Sequence, residues 1–169
     1  WYRDHRITLH AGYKVTRVDR AQRSIRAVNA EGQTIDTRYD RLILATGSNP
    51  FMLPVKGHDL PGVLAYRDIA DTNQMIEATK THTHAVVIGG GVLGLEAANG
   101  LKVRGMDVTV VHIGPWLMER QLDEVAGRML QTALEERGLK FLLNAQTDAL
   151  LDDGSGRVSS VRFKDGSET

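Results

Sequence analysis

The chain contains no cysteine and no excess of charge of either sign among its 169 residues. Without cysteine it can form no disulfide, no thiolate metal site and no redox-active cysteine pair, a composition that fits a cytoplasmic protein. Lysine plus arginine and aspartate plus glutamate both number 21, so the formal net charge is zero. Nucleic acid and anionic membranes select a basic excess, and we therefore expect neither as a partner.

Long apolar runs are also missing. No stretch approaches the roughly 18 apolar residues of a transmembrane helix, and no signal peptide opens the chain. The hydrophobic fraction of 41% and the charged fraction of 25% are ordinary for a soluble globular protein. The first residue is Trp1, and the chain stops just after Asp165 and Gly166, a pair typical of a hairpin turn. We therefore expect a fragment of a larger protein.

The N-terminal third is dominated by short segments with strand character. Residues 15–18, 24–28 and 34–35 are separated by polar turns, and together they predict a small β-meander. The apolar run at residues 39–48 predicts a strand buried on both faces, as in a parallel sheet. Residues 49–62 contain three of the four prolines and predict a linker.

After the linker, strands alternate with helices. Helices are predicted at residues 71–81, 91–104 and 122–137, and strands at residues 84–88, 107–112 and 139–143. This alternation predicts a Rossmann-like, doubly wound parallel sheet with right-handed crossovers, followed by a hairpin at residues 147–163 joined to that sheet. Asp68 or Asp71 is available to cap the first helix. The last helix is expected to bury one apolar face formed by Val125, Met129, Leu130, Ala133 and Leu134.

A glycine-rich segment lies between the strand at 84–88 and the helix that follows it. Gly89, Gly91 and Gly94 match the pattern G-x-G-x-x-G, in which the first glycine allows a tight turn, the second lets a diphosphate approach the backbone, and the third permits close helix packing. The bare pattern also fits a structural turn, but the strand–helix–strand context favours a dinucleotide site. The expected cofactor-binding residues of this loop are Gly89, Gly90, Gly91, Val92, Leu93 and Gly94.

The acidic residue that such sites place at the end of the second strand is absent. The strand ends at His112, and no carboxylate follows until Glu119. A neutral imidazole can still form one hydrogen bond to a ribose hydroxyl, and no arginine or lysine lies within seven residues to bind a 2′-phosphate. We therefore expect NADH, with NADPH as the alternative. His112 could also be a strand-end histidine without a ligand.

Two motifs carry a family resemblance. The segment from Gly89 to Glu96 resembles the G-G-G-x-x-G-x-E fingerprint of two-dinucleotide flavoprotein oxidoreductases, and residues 39–48 look like their second FAD motif, a strand ending in Ala-Thr-Gly. Residues 45–54, 66–71 and 111–123 resemble, more narrowly, the large subunits of NAD(P)H-dependent assimilatory nitrite reductases, which are similar to this chain in having histidine at position 112.

The resemblance implies further site residues. Ala45, Thr46 and Gly47 are expected beside FAD, as are the strand carrying Val15 and the side chain of Arg67. It also implies two domains: a partial FAD-binding segment with its linker at residues 1–62, and a Rossmann-like NAD(P)H-binding domain, truncated at its C-terminal hairpin, at residues 63–169. Glu96 could contact the nicotinamide end of the cofactor or simply complement the helix dipole, and both readings stay open.

The implied function is that of the portion of a flavoprotein where electrons enter. NADH would bind, FAD would accept its hydride, and electrons would pass to nitrite at an Fe–S cluster and sirohaem outside this chain. We expect no catalytic acid, base or nucleophile and no metal site here, since the pair His82 and His84 has no further ligands nearby. The expected partners are NAD(P)H, the rest of the polypeptide and a small subunit, and the isolated chain is expected to be inactive. A ferredoxin- or rubredoxin-type reductase and a non-catalytic NAD-binding module remain alternatives.

Overall fold

The computed structural model describes all 169 residues, and the chain divides into two units, residues 1–47 and residues 48–169. The sequence predicts the boundary between the two domains after residue 62. The structure groups residues 48–62 with the C-terminal unit, because part of this segment packs on the C-terminal hairpin. The assignment of the two units to FAD and NAD(P)H stays a prediction.

The N-terminal unit contains the predicted meander. Its antiparallel strands are β1 (Lys14–Asp19), β2 (Ser24–Val28) and β3 (Thr34–Arg38), in that order. Arg26 and Asp36 lie directly opposite each other on β2 and β3, and their side chains form a bidentate ion pair at 2.9 and 3.1 Å. Opposite charges at facing positions favour this register over a slipped one.

The predicted buried strand at residues 39–48 is wrong for this structure. Residues 42–50 form no strand, and the side chains of Ile43 and Leu44 are 86% and 76% exposed. A strand of this kind needs neighbours on both edges and cover on both faces, and no strand of this chain pairs with it. The apolar pattern is thus present without the sheet that would bury it.

The C-terminal unit has the predicted alternation of strands and helices. Its elements are α1 (Ile69–Ala78), β4 (His84–Ile88), α2 (Val92–Val103), β5 (Asp107–Val111), α3 (Glu124–Glu135) and β6 (Lys140–Leu142). The three strands are parallel in the order β4-β5-β6, which is the Rossmann-like arrangement. The Asp68 side chain caps α1 by accepting from the backbone N–H of Asp71, and the Asp71 carboxylate accepts from the backbone N–H of Asp68, which completes a capping box.

The main core of this unit lies around β5. Val108 and Val110 on β5 are fully buried, as is Ala98 on α2, which packs across the sheet. The predicted buried face of α3 is only partly correct, because Val125 and Met129 are exposed and the helix contacts the core through Leu134 and Leu130.

The hairpin of β7 (Thr147–Asp152) and β8 (Val158–Phe163) is present as a separate two-stranded sheet. It is joined to β5 through side chains, since Val111 shares a cluster with Leu150 and Phe163. Part of the predicted linker at residues 49–62 completes this cluster together with the residue that follows it. Val55 and Val63 pack against the cluster, and residue 56 bridges to β7. The apolar residues among the prolines therefore make this segment part of the unit.

The chain turns back after β8 at Asp165 and Gly166, as the Asp-Gly pair predicts. The backbone of Thr169 exchanges two hydrogen bonds with Val161, at 2.8 and 3.0 Å. None of the helices has the length and apolar character needed to cross a membrane.

Two valines test where the core lies. Val110→Ala removes two methyl groups from the fully buried centre of β5 and should lower the free energy of unfolding by about 2–3 kcal/mol. Val103→Ala makes the same change where the side chain is 79% exposed and should alter stability by no more than about 0.5 kcal/mol. Urea denaturation followed by circular dichroism compares them, and equal losses would contradict this core.

Candidate functional site

The glycine-rich loop connects the end of β4 to the start of α2. Gly89 has φ +126°, a conformation that residues with a side chain rarely adopt, and its N–H donates to the carbonyl of Val111 at 2.8 Å. The loop therefore leaves β4 by a sharp turn while staying attached to the end of β5. The start of α2 lies at the carboxyl edge of the parallel sheet, where ligands of this fold bind.

Gly91 and Gly94 meet different surroundings. Gly91 is the N-cap residue of α2, has extended backbone angles (φ −88°, ψ −177°), and has open space where a Cβ would project. A Cβ on Gly94 would overlap the backbone carbonyl oxygen of Gly89. Gly94 is thus required by the close approach of helix and strand, whereas nothing in the protein itself requires glycine at position 91.

The N-terminus of α2 is available to an anion. No side chain caps it and no acidic residue lies in its first turn, so the positive end of the helix dipole is not compensated there. Val92 and Leu93 are about half exposed at this end. An uncapped helix start beside an open glycine has the form and the electrostatics of a diphosphate site.

Gly90, the middle glycine, is held at both of its backbone polar groups. Its N–H donates to Nδ1 of His112 at 3.1 Å, and its carbonyl accepts from the N–H of Met118 at 3.0 Å. A Cβ at this position would lie 2.8 Å from the His112 ring and from Leu117. The loop and the residues after β5 are therefore in direct backbone and side-chain contact.

His112 lies directly after β5, as the sequence predicts, but its ring is hydrogen-bonded within the protein. It is only 6% exposed, and its second ring nitrogen, Nε2, lies 2.8 Å from Oε2 of Glu119. Because Nδ1 accepts from Gly90, the proton is assigned to Nε2, which donates to the carboxylate. Both nitrogens are engaged within the protein, so the prediction of a direct ribose contact by His112 is revised.

Glu119 is a candidate functional residue that the sequence motifs do not single out. Its side chain remains 33% exposed while it pairs with the buried histidine. Burial raises the pKa of Glu119, but its own backbone N–H, the hydrogen bond from His112 and the positive charge of Arg120 together hold the pKa below the ordinary glutamate value. The carboxylate is therefore ionised at neutral pH.

The segment between His112 and Glu119 explains how residues seven positions apart meet. Leu117 is fully buried, and Met118 adopts a left-handed backbone conformation (φ 55°) that reverses the chain. Trp116 lies against Gly127 of α3, and its indole N–H donates to the carbonyl of Leu122 at 3.2 Å. The apolar run Trp-Leu-Met at residues 116–118 is the sequence feature that indicates this chain path. When the run is buried, the next residue, Glu119, comes back toward the end of β5.

The other candidate residues are exposed. Glu96 lies on the exposed side of α2, beyond its first turn, so compensation of the helix dipole is weak there. In the N-terminal unit, Val15 lies on β1 beside a bulge, and residues 45–47 are exposed. Arg67, in the C-terminal unit, donates from its backbone to Asp71 at 2.8 Å and from Nε to the carbonyl of residue 48 at 3.3 Å.

Comparison with known proteins agrees with this architecture. The family model described as pyridine nucleotide-disulphide oxidoreductase matches residues 2–169. The chain belongs to this family. Since the chain contains no cysteine, the disulfide of the family's description is not part of it.

Relatives within the family confirm the narrower resemblance. The chain is 51% identical over 166 residues to a nitrite reductase [NAD(P)H] of Bacillus subtilis (strain 168), covering 98% of this chain and 20% of that protein. It is 42% identical over 167 residues to the assimilatory nitrate reductase electron transfer subunit of the same organism, covering 99% and 21%. A ferredoxin reductase structure from Rhodopseudomonas palustris superimposes with a TM-score of 0.88 at 28% identity, covering 99% and 40%. The chain thus spans about a fifth of the length of the two curated relatives.

Two glycines of α2 test the close approach at the loop. Gly94→Ala should lower the free energy of unfolding by about 1–3 kcal/mol, because the new methyl group meets a backbone carbonyl that cannot move aside. Gly100→Ala, in the same helix with open space around it, should leave stability unchanged or raise it by up to about 1 kcal/mol. Thermal or urea unfolding distinguishes them, and a neutral Gly94→Ala would contradict the observed packing.

The pairing of Glu119 with His112 predicts a pH dependence. Because the pKa of Glu119 is lowered in the folded state, its contribution to stability is present above the ordinary carboxyl pKa and is lost as the pH falls through the lower folded value. The stability difference between the wild type and Glu119→Gln should therefore shrink on acidification below about pH 4.5. Urea unfolding across that range measures it, and a difference that stays constant would count against the hydrogen bond between the His112 ring and the Glu119 carboxylate.

Proposed function

We propose that the C-terminal unit binds NADH and that the chain is the part of an assimilatory nitrite reductase where electrons enter. The observation that carries this proposal is the open glycine at the uncapped start of α2, at the carboxyl edge of the parallel sheet. The 51% identity to a nitrite reductase supports the choice among members of the family.

The residues of the loop have separate roles in this proposal. The backbone N–H groups of Gly91, Val92 and Leu93 face the cofactor diphosphate at the positive end of the helix. Gly89 turns the chain so that this end is reached directly from β4, and Gly94 brings the helix close to it. Gly90 faces away from the ligand and fixes the loop to the residues after β5. The diphosphate thus meets backbone donors that are already oriented.

The N-terminal unit is proposed to contribute to FAD binding. Gly47 has φ 69° and open space around its Cβ position, which leaves the turn formed with Ala45 and Thr46 accessible to a flat ligand. We extend the same proposal to Val15 and Arg67 on the basis of the family resemblance. The exposed apolar residues at 42–44 fit a segment that is completed by further protein or cofactor.

The chemistry of the step belongs to the two cofactors: when bound, the nicotinamide supplies a hydride and the flavin accepts it. This chain's residues bind and orient, and the transfer requires no protein nucleophile or general acid. An Fe–S cluster and sirohaem would require cysteine ligands from outside this chain, which has none. We place the protein in the cytoplasm, working with the rest of its polypeptide and a small subunit.

A ferredoxin-type reductase is the second candidate. The close superposition with the Rhodopseudomonas palustris ferredoxin reductase favours it, since the proposed NADH and FAD roles are the same and only the final acceptor differs. Its identity of 28%, against 51% for the nitrite reductase, ranks it second. Measuring NADH-dependent reduction of nitrite and of a ferredoxin by the full-length polypeptide separates the two candidates.

Gly91 provides the test of the binding site. Gly91→Val should leave the fold intact, because the position has extended backbone angles and open space, but the branched side chain should abolish NADH binding by filling the place of the diphosphate. Gly100→Val, an equally unhindered glycine farther along α2, should bind like the wild type. Fluorescence titration with NADH measures both, and undiminished binding by the folded Gly91→Val variant would refute the proposed site.

A further inference from the structure

We propose that Glu119, held in place by His112, recognises the adenosine ribose of the dinucleotide and sets a preference for NADH over NADPH. This inference rests on the proposed function and concerns one part of the same site. It assigns to a loop residue the role that dinucleotide-binding folds give to an acidic side chain at the end of the second strand.

The strand end itself cannot perform that role here. The residue after β5 is a buried histidine, and its two ring nitrogens are engaged by the Gly90 N–H and by the Glu119 carboxylate. A ribose presents two neighbouring hydroxyl groups, and the acceptor that suits both is an ionised carboxylate. Of the two members of the pair, only Glu119 is exposed and only Glu119 is a carboxylate.

Because the imidazole ring lies between them, the carboxylate of Glu119 is farther from the end of β5 than a carboxylate on residue 112 would be. One edge of the ring accepts from the glycine-rich loop at 3.1 Å, and the other donates to Glu119 at 2.8 Å. A single carboxylate at the end of β5 would accept hydrogen bonds both from the backbone N–H groups of the loop and from the ribose hydroxyl groups. Here His112 accepts from the loop, and Glu119, one ring farther out, is left to accept from the ligand.

The backbone around Glu119 is fixed relative to the loop. The preceding residue, Met118, donates to the carbonyl of Gly90 at 3.0 Å, and Leu117 is buried against the same glycine. Two hydrogen bonds of Gly90 therefore fix the position of Glu119: one acts through the His112 ring and the other through the Met118 backbone. A preorganised acceptor of this kind loses little conformational freedom on binding.

The carboxylate also has capacity for a ligand. His112 is the one residue besides Glu119 itself that donates a hydrogen bond to the carboxylate, and this bond uses a single oxygen, Oε2. A carboxylate has about four acceptor positions, so Oε1 and the remaining lone pair of Oε2 can face two hydroxyl groups. Its negative charge would disfavour a 2′-phosphate at the same place.

The test compares NADH and NADPH binding to the full chain. We expect the wild type to bind NADH more tightly, and Glu119→Gln to reduce the ratio of the two dissociation constants by about tenfold. Glutamine keeps the shape of the side chain and its acceptor for His112, so folding should be preserved, and thermal unfolding verifies this. Calorimetric titration gives both constants without any requirement for turnover.

Four further variants, one of them Arg120→Gln, distinguish recognition of the ribose by Glu119 from the effect of removing a charge elsewhere on the protein. Glu124→Gln removes the same charge from a glutamate paired with Arg128 at the start of α3, and should leave the ratio at its wild-type value. His112→Phe should lower the ratio as Glu119→Gln does, since it frees the carboxylate. The double variant should have the same ratio as Glu119→Gln alone if the histidine acts through the glutamate.

The outcomes are distinguishable. An unchanged ratio in Glu119→Gln, or an equal change in Glu124→Gln, would overturn the inference and leave the proposed function in place. A ratio that responds to Arg120→Gln instead of Glu119→Gln would assign the recognition to the arginine and also overturn it. A wild-type chain that binds neither nucleotide would remove the proposed function, and this inference with it.

Discussion

Gly90 uses both of its backbone polar groups to hold the glycine-rich loop against the residues that follow β5. The N–H donates to the ring of His112, and the carbonyl accepts from the backbone of Met118. Buried backbone groups without partners are costly, so these two bonds fix the loop and the return of the chain together. The position of the start of α2 and the position of Glu119 both depend on them.

This constraint accounts for several residues that would otherwise be unrelated. The His112 ring fits beside the loop only because position 90 has no side chain. Leu117 is fully buried where it meets the same glycine, and Gly127 gives room on α3 for the neighbouring Trp116. The indole in turn hydrogen-bonds the carbonyl just before the Asp123 cap of α3. The path of the chain from the strand end to the next helix is thus specified by packing on one glycine.

Local patterns were enough to predict most elements of the fold. The three parallel strands and their helices follow from apolar periodicity, and Asp68 is one of the two aspartates that the sequence offers as the N-cap of α1. The apolar run at residues 39–48 failed as a prediction, because a strand buried on both faces depends on neighbours that no local pattern reports. The same limit applies to residues 55–63, whose contacts with the hairpin are made across about 90 positions of sequence.

The sequence likewise predicts one part of the candidate site, the glycine-rich loop, and does not predict the pairing of His112 with Glu119. The roles of the individual glycines follow from the spacing in the motif, and the structure shows the sharp turn at Gly89 and the close contact at Gly94. The pairing of His112 with Glu119 could not be derived from spacing, because it depends on a left-handed residue at Met118 and on the burial of its neighbour. The chain belongs to the pyridine nucleotide-disulphide oxidoreductase family, and in this chain the glycine-rich loop is joined to the end of β5 through His112.

The protonation state of the His112 ring tests this account most directly, since the Gly90 contact requires a bare Nδ1 and the Glu119 contact requires a proton on Nε2. Nitrogen-15 NMR of the full chain, labelled at histidine and assigned with a His112→Phe variant, reports the two nitrogens separately at neutral pH. We predict an unprotonated Nδ1 and a protonated Nε2 for His112. A proton on Nδ1 would contradict the account, because the Gly90 N–H would then have no acceptor in the ring.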